Sequence, residues 1–248
     1  MSNGKTSSLS GSGSPGDAVA TRSMNTGQMA TVHADTEQTE VWRGEFGRDY
    51  TDRNTLDVDA LDALYRKNYG LTRTQINQDF LSGISKDASF LEVGCNTGNQ
   101  LLLLRRMGYT NLSGLELQPY ALEIARSRTR NISLAQGSAL AIPHADASFD
   151  LVFTAGVLIH IAPADLPRAM DEIHRCARTY IWGVEYYAPD PTEVNYRNHS
   201  GLMWKMDYAR RYLQRFEDLE LVREQHVPYL EGSNVDTVFL LRKKQRSA

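Results

Sequence analysis

The sequence predicts a doubly wound α/β fold. The expected core is a Rossmann-like sheet of about seven strands, mostly parallel, with an antiparallel C-terminal hairpin and an N-terminal helical lid. Three observations predict it. Short apolar runs alternate with amphipathic segments from Ser89 to Glu185, the pattern of strand–helix crossovers and a sheet covered on both faces. The first run leads into a turn bearing Gly94 and Gly98. Two longer runs, Leu219 to Val227 and Val235 to Leu241, flank a loop containing Gly232-Ser233-Asn234, which reads as a hairpin.

In chain order, Ser89 to Val93 is the first expected strand, and the helix after its turn carries Leu101, Leu104 and Met107. Leu112 to Glu116 is the second strand, and Pro119 opens its helix at a first-turn position where the missing N–H costs nothing. Strands follow at Ile132 to Ala135 and Phe149 to Thr154. The helix Asp165 to Ala177 places Leu166, Met170, Ile173 and Ala177 on one face. Tyr180 to Glu185 is the next strand. Upstream, residues 41–85 hold an aromatic cluster from Val41 to Tyr50, a helical pattern on Leu56, Val58, Leu61 and Leu64, and a short helix from Ile76 to Leu81. These form the lid. Residues 1–40 are rich in Ser, Gly, Thr and Asn and are expected to be a disordered tail, since they bury too little apolar area to offset ordering. The catalytic domain is expected over 86–248, with a substrate-pocket insertion at 186–206.

The chain has 248 residues and a formal net charge of −3, which argues against nucleic acid as a partner. Cys95 and Cys176 lie too far apart for a disulfide framework. The histidines lack ligand spacing, so no metal is expected. No apolar run approaches the ~20 residues that cross a bilayer, and no signal-peptide core precedes the aromatic cluster. The expectation is a cytoplasmic protein without a membrane partner.

The stretch Glu92-Val93-Gly94-Cys95-Asn96-Thr97-Gly98 is the candidate cofactor loop. Its glycines let the backbone approach a ligand at a helix N-terminus. Glu116 ends the next strand, where a carboxylate accepts hydrogen bonds from ribose hydroxyls. A dinucleotide site would carry glycine in place of Asn96. It would also avoid Glu92, whose carboxylate repels a pyrophosphate but suits the ammonium of a methionine moiety. The contrast favours S-adenosylmethionine over NAD.

Phe90 to Leu158 resembles the class I S-adenosylmethionine-dependent methyltransferases. Glu92 to Gly98 is similar to their first motif, with Asn96 replacing the middle glycine. Leu115-Glu116-Leu117 resembles the ribose motif. Gly137-Ser138-Ala139 stands where the family often has Gly-Asp-Ala, so Ser138 and Ala139 are expected beside adenine. Ser148-Phe149-Asp150 and Thr154 to Ile161 resemble the fourth-strand motifs. A narrower resemblance, to methylases associated with pseudaminic acid biosynthesis, rests on Trp42-Arg43-Gly44-Glu45-Phe46-Gly47, Tyr50-Thr51, Arg53-Asn54, Glu185-Tyr186-Tyr187, Tyr196-Arg197-Asn198-His199 and Lys205.

The loop from Glu185 to Lys205 supplies the candidate substrate residues Tyr186, Tyr187, Tyr196, Arg197, His199 and Lys205. Arginine forks and lysine charges suit an anion, so O-methylation of a small sugar acid, carboxylate or phosphonate is expected. His160 is the candidate base by residue type. Tyr50 is expected to face sulfonium and substrate, and Arg53 to pair with the cofactor carboxylate. The alternatives are N-methylation of an amino sugar or peptide amine, for which acidic side chains would line the pocket, and a non-catalytic S-adenosylmethionine-binding module.

Overall fold

The computed structural model describes residues 36–244. Its sheet is built from β1 (Ser89–Val93), β2 (Asn111–Glu116), β3 (Ser133–Gln136), β4 (Phe149–Ala155), β5 (Ala177–Tyr186), β8 (Leu219–Pro228) and β9 (Val235–Lys243). The spatial order is β3-β2-β1-β4-β5-β9-β8. The first five strands run parallel, and β9 pairs antiparallel with both β5 and β8. This is the expected Rossmann-like architecture. The chain reverses its direction of travel across the sheet between β1 and β4, and the crevice outside the strand ends at such a reversal is where these folds bind ligands.

Helices α5 (Asn99–Arg106), α6 (Pro119–Arg128), α7 (Leu166–Cys176) and α8 (Tyr208–Arg215) complete the domain. Strand alternation divides its core. Leu91, Val93, Val152 and Ile181 pack with Met170 and Ile173 of α7 and Tyr212 of α8. Phe90, Leu151, Phe153 and Trp182 pack on the other face with Leu101 and Leu104 of α5 and Ile76 and Phe80 of the lid. Each fully buried side chain of this size contributes roughly 1.5–3 kcal/mol. Glu92 lies on the Phe90 side of β1, so its carboxylate is carried toward the lid helices.

The lid comprises α1 (Glu37–Arg43), α2 (Glu45–Arg53), α3 (Val58–Tyr69) and α4 (Arg73–Leu81). The expected tail boundary at residue 40 is corrected here. Thr36 caps α1 through a reciprocal capping box with Thr39, and Thr39 is buried; two orphan donors are thereby satisfied and the helix starts inside that segment. The rest of the expected tail, residues 1–35, lies outside the described residues. Gly44 both ends α1 and begins α2. The 186–206 segment carries a two-residue ladder, β6 (Thr192–Glu193) with β7 (Trp204–Lys205). It leads into α8, which the sequence pattern did not reveal. Among the described residues, no helix is long and apolar enough to cross a membrane.

Candidate active site

The turn after β1 holds three residues in the left-handed region, Gly94 (φ 73°), Asn96 (φ 46°) and Gly98 (φ 78°). Glycine adopts this conformation freely and asparagine is the next most tolerant residue, which accounts for Asn96 in the place of a glycine. Gly94 and Cys95 donate backbone hydrogen bonds to the Leu115 carbonyl at 2.8 and 3.0 Å. Glu116 accepts from the Asn96 N–H at 2.7 Å and from the Gln118 N–H at 2.8 Å. The tip of β2 therefore sets the shape of the loop, and Glu116 is held with lone pairs to spare. Burial raises its pKa against these hydrogen bonds.

The loop opens into a cavity of about 420 Å³ enclosed between the strand ends and the lid. Of the residues singled out from the sequence, Tyr50, Glu92, Gly94, Asn96, Glu116, Leu117, Ser138, Ala139, His160, Tyr186 and Tyr196 line it. The structure brings these together. Glu92 is buried, and its Oε2 has no hydrogen-bond partner. Burial raises its pKa well above the usual range, with Arg73 opposing that shift and Glu116 adding to it.

The end of β4 turns through Gly156 into a short 3₁₀ segment, Leu158–His160. Buried Glu185 at the end of β5 accepts from the Val157 N–H at 3.2 Å and the Ile159 N–H at 3.4 Å. These donors belong to a turn that has no helical partners for them. Burial lifts the Glu185 carboxyl to about 7, partly opposed by the Thr154 hydroxyl and the backbone donors of the turn. The turn in turn aims His160. His160 Nδ1 lies 2.8 Å from the Leu202 carbonyl; a carbonyl only accepts, so Nδ1 carries the proton and Nε2 keeps its lone pair. Burial lowers this imidazole to about 4. Trp42, Tyr50 and Tyr196 surround the ring at centroid distances of 4.4, 6.1 and 5.3 Å. Burial raises the Tyr50 phenol far above its usual value, so it remains a donor.

Several expected contacts are corrected. Arg53 is exposed and does not line the cavity; the lid arginine that does is Arg73, only 2% exposed. Arg73 donates from Nε to Asn77 Oδ1 at 3.1 Å and from an Nη to the Tyr65 hydroxyl at 2.5 Å. Arg197 and His199 are exposed and lie outside the lining, because residues 196–199 form a tight turn that projects them outward. His199 packs its ring on Phe46. Lys205 donates to Asn234 Oδ1 at 2.5 Å, and Tyr187 packs on His226, centroids 3.9 Å apart, so neither faces the cavity. Gly98 and Thr154 act from behind it. Gly98 caps α5, and a Cβ there would meet Thr129 at 2.7 Å. Buried Thr154 supports Glu185.

Sequence reasoning missed Arg73, Tyr65, Tyr69, Tyr229 and Asp236, all of which line the cavity. Arg73 lies inside the capping box of Thr72 and Gln75 and reads as part of an ordinary polar first turn. It also missed the lid clasp. Gln118 Nε2 lies 3.2, 2.7 and 3.0 Å from the carbonyls of Trp42, Arg43 and Gly44. Asn99 donates to the Asn54 carbonyl at 2.6 Å and Gln38 Oε1 accepts from the Ala162 N–H at 2.7 Å. No cluster of three metal-ligating side chains occurs among the described residues.

Comparison with known proteins fits this geometry. Residues 91–179 match the methyltransferase domain family. An uncharacterized methyltransferase of Synechocystis sp. is 32% identical over 92 residues, 37% of this chain and 43% of that protein. The chain spans 36–56% of the length of the curated relatives it matches. Among solved structures, the Burkholderia thailandensis 1,6-didemethyltoxoflavin-N1-methyltransferase with bound 1,6-didemethyltoxoflavin and S-adenosylhomocysteine superposes with a TM-score of 0.63 at 17% identity, over 84% of this chain and 90% of that one. The [4+2]-cyclase SpnF superposes with a TM-score of 0.58 at 16% identity, over 75% and 82% of the two chains. The architecture of this chain is the Rossmann-like methyltransferase fold, and its residues 91–179 carry the methyltransferase domain signature.

Proposed function

We propose that this chain transfers a methyl group from S-adenosylmethionine to a small molecule. One observation carries the reading: Glu116, the left-handed loop residues Gly94 and Asn96 and the unpartnered Oε2 of Glu92 open into a single cavity at the sheet's reversal point. The fold alone does not select this chemistry, as the likeness to a cyclase illustrates. The residues fit the cofactor. Glu116 would take the ribose hydroxyls, Leu117, Ser138 and Ala139 would flank adenine, and Glu92 would meet the methionyl ammonium. Arg73 would meet the methionyl carboxylate, a pairing that suits its planar fork.

When bound, the sulfonium supplies an electrophilic methyl group. The chain's part is to position the acceptor and exclude water. Trp42, Tyr50, Tyr196 and the His160 ring form an aromatic wall that favours a positively charged centre. The free Nε2 of His160 accepts a hydrogen bond from the acceptor, and the Tyr50 phenol donates one beside it. A hydroxyl both donates and accepts, so this pairing supports an oxygen acceptor, hence O-methylation. The anionic nature expected for the substrate has less support, because Arg197, His199 and Lys205 stand outside the lining. The relationship to the pseudaminic acid-associated methylases is supported by the Trp42 to Tyr50 segment, part of which forms the cavity wall.

Titration calorimetry with S-adenosylhomocysteine tests the cofactor assignment. We expect saturable heat with the wild type, none with NAD, and a loss of about 10- to 100-fold in affinity for Glu116→Gln, from weakened charge-assisted hydrogen bonds worth ~1.5–3 kcal/mol each. No heat with well-folded wild type ends the proposal. Acceptor-dependent formation of S-adenosylhomocysteine separates an enzyme from a binding module.

A further inference from the structure

The charge of the cavity is the reverse of what an anionic acceptor needs. Among the described residues its lining holds the carboxylates Glu92, Glu116, Asp165 and Asp236 against one guanidinium, Arg73. S-adenosylmethionine brings a sulfonium, an ammonium and a carboxylate, a net charge of only +1 against this acidic lining. Glu92 and Glu116 have parts in the donor site. Asp236 does not.

Asp236 stands near the start of β9, opposite Tyr186 of β5, at the strand ends where the acceptor must lie. It is 5% exposed. The Tyr69 hydroxyl donates to its Oδ2 at 2.6 Å, while Oδ1 is buried with no partner at all. Leaving such an oxygen unpaired carries an uncompensated desolvation penalty, which a ligand donor would recover. Burial raises this carboxyl to about 6, opposed by Tyr69, Arg73 and Lys205. The groups around it are aromatic. Tyr229 sits edge-on to Tyr69 at 4.5 Å, and the Tyr229 and Tyr186 hydroxyls lie 3.1 Å apart. The neighbouring cations do not neutralise it by contact. Arg73 is held by Asn77 and Tyr65, and Lys205 by Asn234.

We propose that the acceptor carries a protonated amine, and that Asp236 with Tyr69, Tyr186 and Tyr229 forms the subsite that reads it. An ammonium supplies the missing donor for Oδ1, matches the surplus negative charge and rests against ring faces. The amine is a recognition handle, separate from the atom that takes the methyl. This rests on the methyltransferase reading above.

The test offers tritiated S-adenosylmethionine with small-molecule cell extracts, split beforehand on an amine-capturing resin into amine-bearing and amine-free pools. The wild type is expected to label the amine-bearing pool. Asp236→Asn is expected to lower that label at least 10-fold and Asp236→Glu to restore part of it, with S-adenosylhomocysteine binding read on each variant. Label confined to the amine-free pool, or undiminished in a folded Asp236→Asn protein, overturns the subsite and leaves the methyltransferase reading standing. No label in either pool overturns both. The wild-type result decides between pools even if a variant fails to fold.

Discussion

Replacing Gly94 with alanine probes how the two halves of the cofactor bed fit together. Its φ of 73° is left-handed, which costs an alanine roughly 1–2 kcal/mol. A Cβ at this position would also stand 2.6 Å from Val157 Cγ2 and 3.1 Å from Cγ1. Val157 belongs to the turn that Glu185 pins, so relief by movement is restricted and the overlap costs about 1–3 kcal/mol. Gly94→Ala should therefore destabilise by about 2–5 kcal/mol in urea titrations. It should also weaken S-adenosylhomocysteine binding, because both the loop and the turn line the cavity. The parts are separable. In a Val157→Ala background the overlap vanishes and the backbone cost remains, so the coupling between the two substitutions should be about 1–3 kcal/mol. A cost below about 1 kcal/mol for Gly94→Ala, or the same cost in both backgrounds, would refute the argument.

Two buried groups give opposed pH dependences. His160, lowered from 6.5 to about 4, stays neutral when folded. Its contribution is present above pH 6.5 and lost as pH falls toward 4, up to about 3 kcal/mol. Glu185, raised from 4.5 to about 7, contributes fully below 4.5 and loses a similar amount as pH rises through 7. Urea stability measured from pH 4.5 to 7 should show His160→Asn gaining on the wild type toward acid and Glu185→Gln gaining toward neutral; a slope of the opposite sign in either variant would contradict that residue's assignment. Gln118→Ala removes the donor shared by three lid carbonyls. It should cost about 1–2 kcal/mol and raise hydrogen exchange across residues 37–53, and unchanged protection there would mean the clasp is incidental. Arg197→Ala should leave S-adenosylhomocysteine affinity and acceptor KM within about twofold, since surface charges distant from a site contribute little; a KM rise of 10-fold would return Arg197 to the substrate site.

The donor side of the site was legible in the sequence because its residues are local. Strand-end acids, left-handed turn residues and a helix N-terminus lie within one strand–turn–helix unit, and Glu116 is one crossover away. The acceptor side was not. Arg197, His199 and Lys205 are the residue types an anion would need, yet the turn at 196–199 faces two of them outward and Asn234 holds the third. Asp236 and Tyr69 are 167 residues apart and no spacing rule joins them. Gln118 caps α6 and is also the lid clasp, two roles set by contacts that its place in the sequence does not reveal.

By itself the sequence determined the alternation of strands and helices and the turn chemistry of the cofactor loop, since periodicity and glycine placement act over a few residues. Which ionisable groups lose their water was decided only by tertiary packing. The closing of the lid over the strand ends buries Arg73, Glu92 and Asp236 together, and the resulting charge of the cavity is a property of long-range contacts that no local pattern encodes.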